Sequence, residues 1–435
     1  MSNESPSSEE KLSRVTMDSL RNLLALLLGW IPLQAQLPTT ELNRQLPRWL
    51  AFSGDERMRL EGFSGAGFEP NNDDLYLLSR FRFNLAIKPS ASWKILVQTQ
   101  DARVWWKSQR PYAPPFQDTW DLRQAYLELR DPDKSHVALR IGRQEISLGG
   151  ERLIGVSSWQ NVGRTFDAAR LLLHYGKFRL TAFSASVVVL RDGEVGSADA
   201  GNNLHALYGT TNNWLIPNST IEPYLMWRLQ PSSGLDMKIS GVRWLGTLHA
   251  LDYNTSLVFE RGHDATDQVN AWAGHWLLGY TLGSAHLVGE YNYATGDASP
   301  HDGQSNTFQL LYGTAHDRHG LSDEVGWRNL QHVRGTLDVK SLGKWSLTPS
   351  YNAFWLADAH DGLYNSQGNV VVPRVVSGSA GRWVGQELDL SAQYNFSTIT
   401  QVGAGFSHLF PGTFLKLATP GHGFNYPYLQ VTTRF

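Results

Sequence analysis

Arginine recurs along this chain in pairs two residues apart. Arg57 with Arg59 and Arg80 with Arg82 are spaced this way, and Arg140, Arg143, Arg170, Arg243 and Arg334 stand among similar alternating apolar residues. Residues two apart project from one face of a β-strand. Acidic and amide groups occupy comparable positions: Glu61, Gln124, Glu128, Asp167, Glu290, Asp338, Glu387 and Asp389. A polar face that gathers guanidinium forks can pair transiently with carboxylates, while interleaved acids hold the forks in place. The plainer reading is that these charges pair with one another and keep a wide interior hydrated. For any one residue the plainer reading is the stronger; as a set, Arg80, Arg82, Arg143 and Arg170 favour carboxylate binding.

Other chemistry finds little support. The chain has no cysteine, which removes thiolate metal sites, disulfides and thiol nucleophiles. Gly62-Phe63-Ser64-Gly65-Ala66 misses the nucleophile-elbow pattern at its last position, and no His-Glu-x-x-His occurs. His316 and His319 sit three apart in a predicted loop, where a metal reading is weak, and the loop carboxylates Asp73, Asp74, Asp297 and Asp302 lack the ordered spacing of a calcium loop and read as turn formers. We therefore expect no catalytic residue, no metal and no cofactor. With 38 basic against 40 acidic residues, no global basic field points to nucleic acid.

The elements that carry the arginines read as strands. In 75–88, Phe81, Phe83, Leu85 and Ile87 fall on one face, with Arg80, Arg82, Asn84 and Lys88 on the other. Eighteen such runs follow one another, from 55–63, 75–88, 93–103 and 122–129 through to 383–395, 398–409 and 426–435. Short turns at Lys88-Pro89-Ser90, Asp131-Pro132-Asp133 and Tyr175-Gly176-Lys177 alternate with long polar stretches near 104–119, 147–164, 190–203, 296–325, 358–382 and 410–425. The 16 Trp, 16 Tyr and 18 Phe accompany 40 Gly, and only 18% of residues are charged. Together these predict an all-β chain: a transmembrane antiparallel β-barrel of about 18 strands, with short periplasmic turns and long extracellular loops.

The two ends agree with that reading. Residues 1–35 read as a signal peptide, with Arg21 before the apolar stretch Leu23–Ile31 and Ala35 at the cleavage position, so that residues 36–435 form a single barrel domain. Met17 reads as the true start, with 1–16 an extension of it. The last strand alternates to Phe435, which is expected to face lipid and to serve as the signal read by the barrel-assembly machinery.

Several blocks resemble the alginate export family of bacterial outer-membrane porins. They include Leu122-Arg123-Gln124-Ala125-Tyr126-Leu127-Glu128-Leu129, Arg140-Ile141-Gly142-Arg143-Gln144-Glu145, Gly149-Gly150-Glu151-Arg152-Leu153, Trp159 with Asn161, and Arg164-Thr165-Phe166-Asp167. The likeness returns at Thr295-Gly296-Asp297, Gly320-Leu321-Ser322-Asp323 and Val384-Gly385-Gln386-Glu387. Ala168-Ala169 departs from a glycine expected after the Asp. The resemblance implies an 18-stranded barrel in the outer membrane of a Gram-negative bacterium, exporting an anionic polysaccharide through an arginine-rich constriction. Outer-membrane lipids and periplasmic export partners would accompany it. A general anion-selective porin, or one for an acidic small molecule, is the alternative, and a barrel hydrolase is a remote third.

Overall fold

Alternation of apolar and polar side chains lets each strand present one face to lipid and the other to the barrel interior. The computed structural model describes residues 39–108 and 112–435, so the leader read at 1–35 lies outside the described residues. A short helix, α1 (Thr39–Gln45), precedes the first strand. The strands are β1 (Leu50–Phe63), β2 (Asp74–Ser90), β3 (Trp93–Trp105), β4 (Asp118–Leu129), β5 (Val137–Gln144) and β6 (Phe166–Tyr175). Next come β7 (Phe178–Val189), β8 (Ser197–Asn212), β9 (Ser219–Gln230), β10 (Leu235–Leu248), β11 (Leu251–Asp264) and β12 (Asp267–Leu282). The barrel is completed by β13 (Ala285–Ala294), β14 (Leu330–Leu342), β15 (Trp345–Leu356), β16 (Trp383–Asn395), β17 (Thr400–Pro411) and β18 (Phe424–Arg434).

Each strand pairs antiparallel with the next, and β18 returns to β1 with Leu60 opposite Leu429 and Arg57 opposite Thr432. Closure leaves no sheet edge, as a spanning sheet requires. The connections at one end are tight, such as 91–92, 176–177, 283–284 and 343–344. The opposite end carries the long segments 106–117, 145–165, 295–329, 357–382 and 412–423. The stretch 190–203, expected as loop, is shorter: β8 starts at Ser197, because Ser197 and Ala198 pair with Val189 and Val188 beyond a bulge.

Large apolar side chains such as Ile141, Leu225, Leu278 and Leu390 stand exposed on the outer face, where lipid covers them. The buried core lies inside the barrel. Leu153, Ile154, Phe308, Leu311, Trp327 and Leu363 come from the long segments, and they pack on inward wall residues such as Phe166, Leu204 and Phe354. The second helix, α2 (Thr413–Ala418), adds Phe414 and Leu415 to the same mass. The long-loop end is therefore plugged by its own connections.

Candidate functional site

Two segments form the seam of the plug. Residues 145–165 turn inward after β5, and residues 295–329 turn inward after β13. They zip together: Tyr312 donates its N–H to Leu153 O at 2.8 Å, Gly155 to Tyr312 O at 2.8 Å, and Thr314 to Glu151 O at 2.8 Å. Arg164 reinforces the seam, donating from Nη1 to the carbonyls of Tyr312 (2.5 Å) and Gly313 (3.1 Å).

The arginines of β1 and β2 hold the first segment against the wall. Arg57 Nη1 and Arg80 Nη1 both donate to Ser158 O at 2.9 Å, Arg59 Nη1 donates to Trp159 O at 2.7 Å, and Arg57 Nη2 donates to Gln160 O at 3.1 Å. Arg82 reaches Gln100 at 2.7 Å and lies 3.5 Å from Val162 O. All four are buried; Arg57, Arg59 and Arg80 donate to the plug's backbone, while the Arg82 Nε donates to Gln100 on β3. Glu61 pairs with Arg59, and Asp55 pairs with Arg80 at 3.1 Å. Asn161 fixes the same segment, donating to Ser79 O, Arg103 O and Phe116 O at 2.9–3.1 Å. Gly163 passes between Arg82 and Arg123 at φ +75°, where a Cβ would lie 3.0 Å from one guanidinium and 3.2 Å from the other.

A flat stack ties wall and plug together. The Arg59 guanidinium carbon lies 3.8 Å from the Trp159 ring centroid, and the His316 ring covers the tryptophan at 3.8 Å and 5°. His316 Nδ1 contacts Asp323 at 2.7 Å. The second segment is also anchored on β14 and β16. Arg334 donates to Asp317 O at 2.9 Å and Oδ1 at 2.7 Å; Glu387 accepts from the Ser322 N–H and Oγ; Asp389 accepts from the Leu321 N–H at 3.3 Å.

At the junction of the two segments Arg152, Arg164 and Arg318 line one cavity with Gln160, His319, Ser366 and Gln367. Arg152 pairs with Glu290 at 3.2 Å, and Arg318 donates to Gly150 O at 2.6 Å. Arg152 Nη1, His319 Nε2 and Ser366 Oγ have no hydrogen-bond partner among the described residues. Burial lowers Arg152 and Arg164 to about 10, which leaves both charged at neutral pH. Glu151, Glu290 and Asp317 face these cations, but Asp317 is already paired with Arg334 at 2.7 Å, so positive charge is in excess at the cavity and favours an anion.

Toward the short-turn end, Arg140 Nε holds Glu128 at 2.9 Å, with Arg170 directly opposite Arg140 on β6. Arg243 pairs with Glu222 at 2.9 Å, Asp338 accepts from Thr348 at 2.9 Å, and Gln124 donates to Gln98 at 3.0 Å. Arg143 and Asp167 do not join them. They form a bidentate pair (2.9 and 3.0 Å) on the outer face, in the same alternation as Ile141, which is 48% exposed. Arg143 and Asp167 each lie three residues from Arg140 and Arg170, an odd separation that puts them on the opposite side of the sheet. Their expected place in the lumen is thus corrected. Phe435, at the β18–β1 seam, stacks on outward Phe81 at 5.9 Å.

Arg123, Arg152 and Arg164 fall within the blocks of resemblance, and neither they nor Arg318 are marked as lumen residues by alternation. A bulge between the Gln98–Gln124 and Thr99–Leu122 pairs inserts Arg123 beside Gln124, where it is buried. The other three lie in connections, where alternation has nothing to say.

A closed, lipid-faced barrel with an internally plugged lumen is an outer-membrane pore. The chain matches the family model described as alginate export over residues 48–426, and it belongs to that family. Among solved structures it is similar to OpdK of Pseudomonas aeruginosa (12% identity, 88% of this chain and 98% of that one, TM-score 0.60). It is also similar to OpdK with vanillate (11%, 88% and 98%, 0.59) and to OprD of the same organism (10%, 88% and 94%, 0.58). At such identities the likeness shows the fold. A comparison with curated proteins found no match.

Proposed function

We propose that this barrel passes anions selectively and without energy input, and that its cargo is an anionic polysaccharide such as alginate moving outward. The observation that supports this most is the cavity where Arg152, Arg164 and Arg318 meet at the plug's seam, in a chain of the alginate export family. Two unit charges 4 Å apart interact by about 1 kcal/mol in bulk water and about 4 kcal/mol at an effective dielectric of 20. A partly dry cluster of guanidiniums can therefore favour carboxylates by one to three decades, since about 1.4 kcal/mol is tenfold. Glu151 and Glu290 temper the site, so a carboxylate can leave again. No step of this passage calls for covalent chemistry, and the reading is of a channel and not an enzyme.

A second reading is a pore for a small acidic molecule. It is favoured by the hydrogen-bonded seam between residues 151–155 and 312–314 inside the barrel, which a polymer must part and a small solute can pass beside. Planar-bilayer recording separates the two. Wild type is expected to prefer anions, and polyuronate oligomers are expected to block it from one side. Arg318→Gln alone, and Arg152→Gln with Arg164→Gln, should each reduce the preference. Cation preference in wild type would end both readings, and anion preference without polyuronate block would leave the small acid.

A further inference from the structure

The outer face carries a second cationic feature, unrelated to the lumen. Lys238 on β10 lies directly opposite Arg261 on β11; Trp227 on β9 flanks Lys238, and Asn270 on β12 flanks Arg261. All four are exposed and share the outward alternation with Leu225 and Phe259. Like charges directly opposite on neighbouring strands are destabilising. Elsewhere on this face the cations are matched: Arg103 pairs with Asp101 at 2.9 Å and Arg143 with Asp167 at 2.9 Å. Lys238 and Arg261 have no ion-pair partner among the described residues, and Arg261 donates only to the carbonyls of Glu260 and Ala271. The nearest acid in register, Asp236, accepts the Trp227 indole N–H at 2.7 Å.

The position of this pair says what would neutralise it. The next row toward the middle of the barrel is Leu225, Ser240, Phe259 and Trp272, three apolar or aromatic side chains and one serine facing acyl chains. The pair thus sits on the boundary between apolar wall and headgroup, at the long-loop end. The connections beside it, 231–234 and 265–266, are short, so no long loop rises over the patch. A guanidinium fork and an ammonium side by side suit phosphate oxygens, and tryptophan favours this depth. We propose that Lys238 and Arg261 bind the phosphate of a phosphate-bearing lipid in the outer leaflet, with Asn270 as an additional hydrogen-bond donor. A ligand carrying both phosphate and acyl chains matches the row pair as a free anion does not.

The test is native mass spectrometry of the purified, folded barrel with a phosphorylated glycolipid and its dephosphorylated counterpart. Wild type should retain the phosphorylated lipid about tenfold or more better, the scale of two surface cations against an anionic headgroup. Lys238→Gln with Arg261→Gln should abolish that difference. Lys134→Gln with Arg179→Gln, an equal loss of charge among exposed residues near the short-turn end, should preserve it. Heat-modifiable gel mobility confirms that each variant is a folded barrel. Equal retention of the two lipids by wild type, or an undiminished difference in the Lys238/Arg261 variant, would overturn the proposal. So would displacement of the lipid by an equal concentration of inorganic phosphate, or a dimer that this variant alone loses.

Discussion

Trp159 is held on both faces, by the Arg59 guanidinium and by the His316 ring. A cation–π contact contributes about 0.5–2 kcal/mol and an aromatic pair about 0.5–1.5 kcal/mol. Trp159→Ala should therefore loosen the plug by about 2 kcal/mol and raise the open fraction roughly thirtyfold. Single-channel recording would show this as longer, larger openings, and unchanged gating would remove the stack from the latch. Glu324, in the same inward segment, offers a pH handle. Burial, and then Asp323, push its carboxyl from about 4.5 up to about 7. The seated segment then binds more protons than the released one between those values. Its contribution is fully present below about 4.5 and is lost as pH rises through about 7. Openings should be more frequent at pH 8 than at pH 5, and Glu324→Gln should flatten that dependence.

At the level of elements, the seam between β18 and β1 decides whether the barrel closes. Gly54 and Phe435 exchange both backbone hydrogen bonds, at 2.8 and 3.0 Å. The Phe435 ring lies over Gly54, where a Cβ would come within 2.5 Å of it, and then stacks on Phe81. Charge on the lipid face costs up to about 2–4 kcal/mol at the midplane for Arg or Lys and about 0–1 kcal/mol near an interface. Phe435→Asp at the strand's end should therefore leave a formed barrel nearly as stable while lowering the yield of assembled protein in cells. Heat-modifiable mobility measures that yield. A yield equal to wild type would deny Phe435 its role in assembly.

On the scale of the molecule, two apolar regions divide the work: the outer belt meets lipid, and the inner mass of loop residues fills one end of the lumen. Net charge is −2, so selectivity cannot come from a global field and must arise where charges converge. Raising salt should weaken anion preference only partly, because the arginines at the seam are buried and poorly screened. A preference that vanished at about 1 M salt would place the filter at an exposed mouth. Protein recovered from outer membranes is expected to begin at Gln36 or within a few residues of it, which N-terminal sequencing reads directly.

Much of the wall is legible in the sequence alone. A strand's side-chain period is two whatever its surroundings, so eighteen alternating runs announced eighteen strands, and Arg57, Arg80 and Arg334 could be put on the polar face from neighbours alone. The same parity, applied strictly across Arg140–Arg143 and Asp167–Arg170, would have sent Arg143 and Asp167 outward. Arg123 escaped because a bulge breaks the count, and bulges depend on the partner strand. Only the tertiary structure decided where the long connections go. Arg57 meets Ser158 about a hundred residues away, and Arg164 meets Tyr312 about a hundred and fifty away. No local period records such partners. An inward loop is set by which distant donors and acceptors remain unsatisfied on the wall, and that is known only once the barrel has closed.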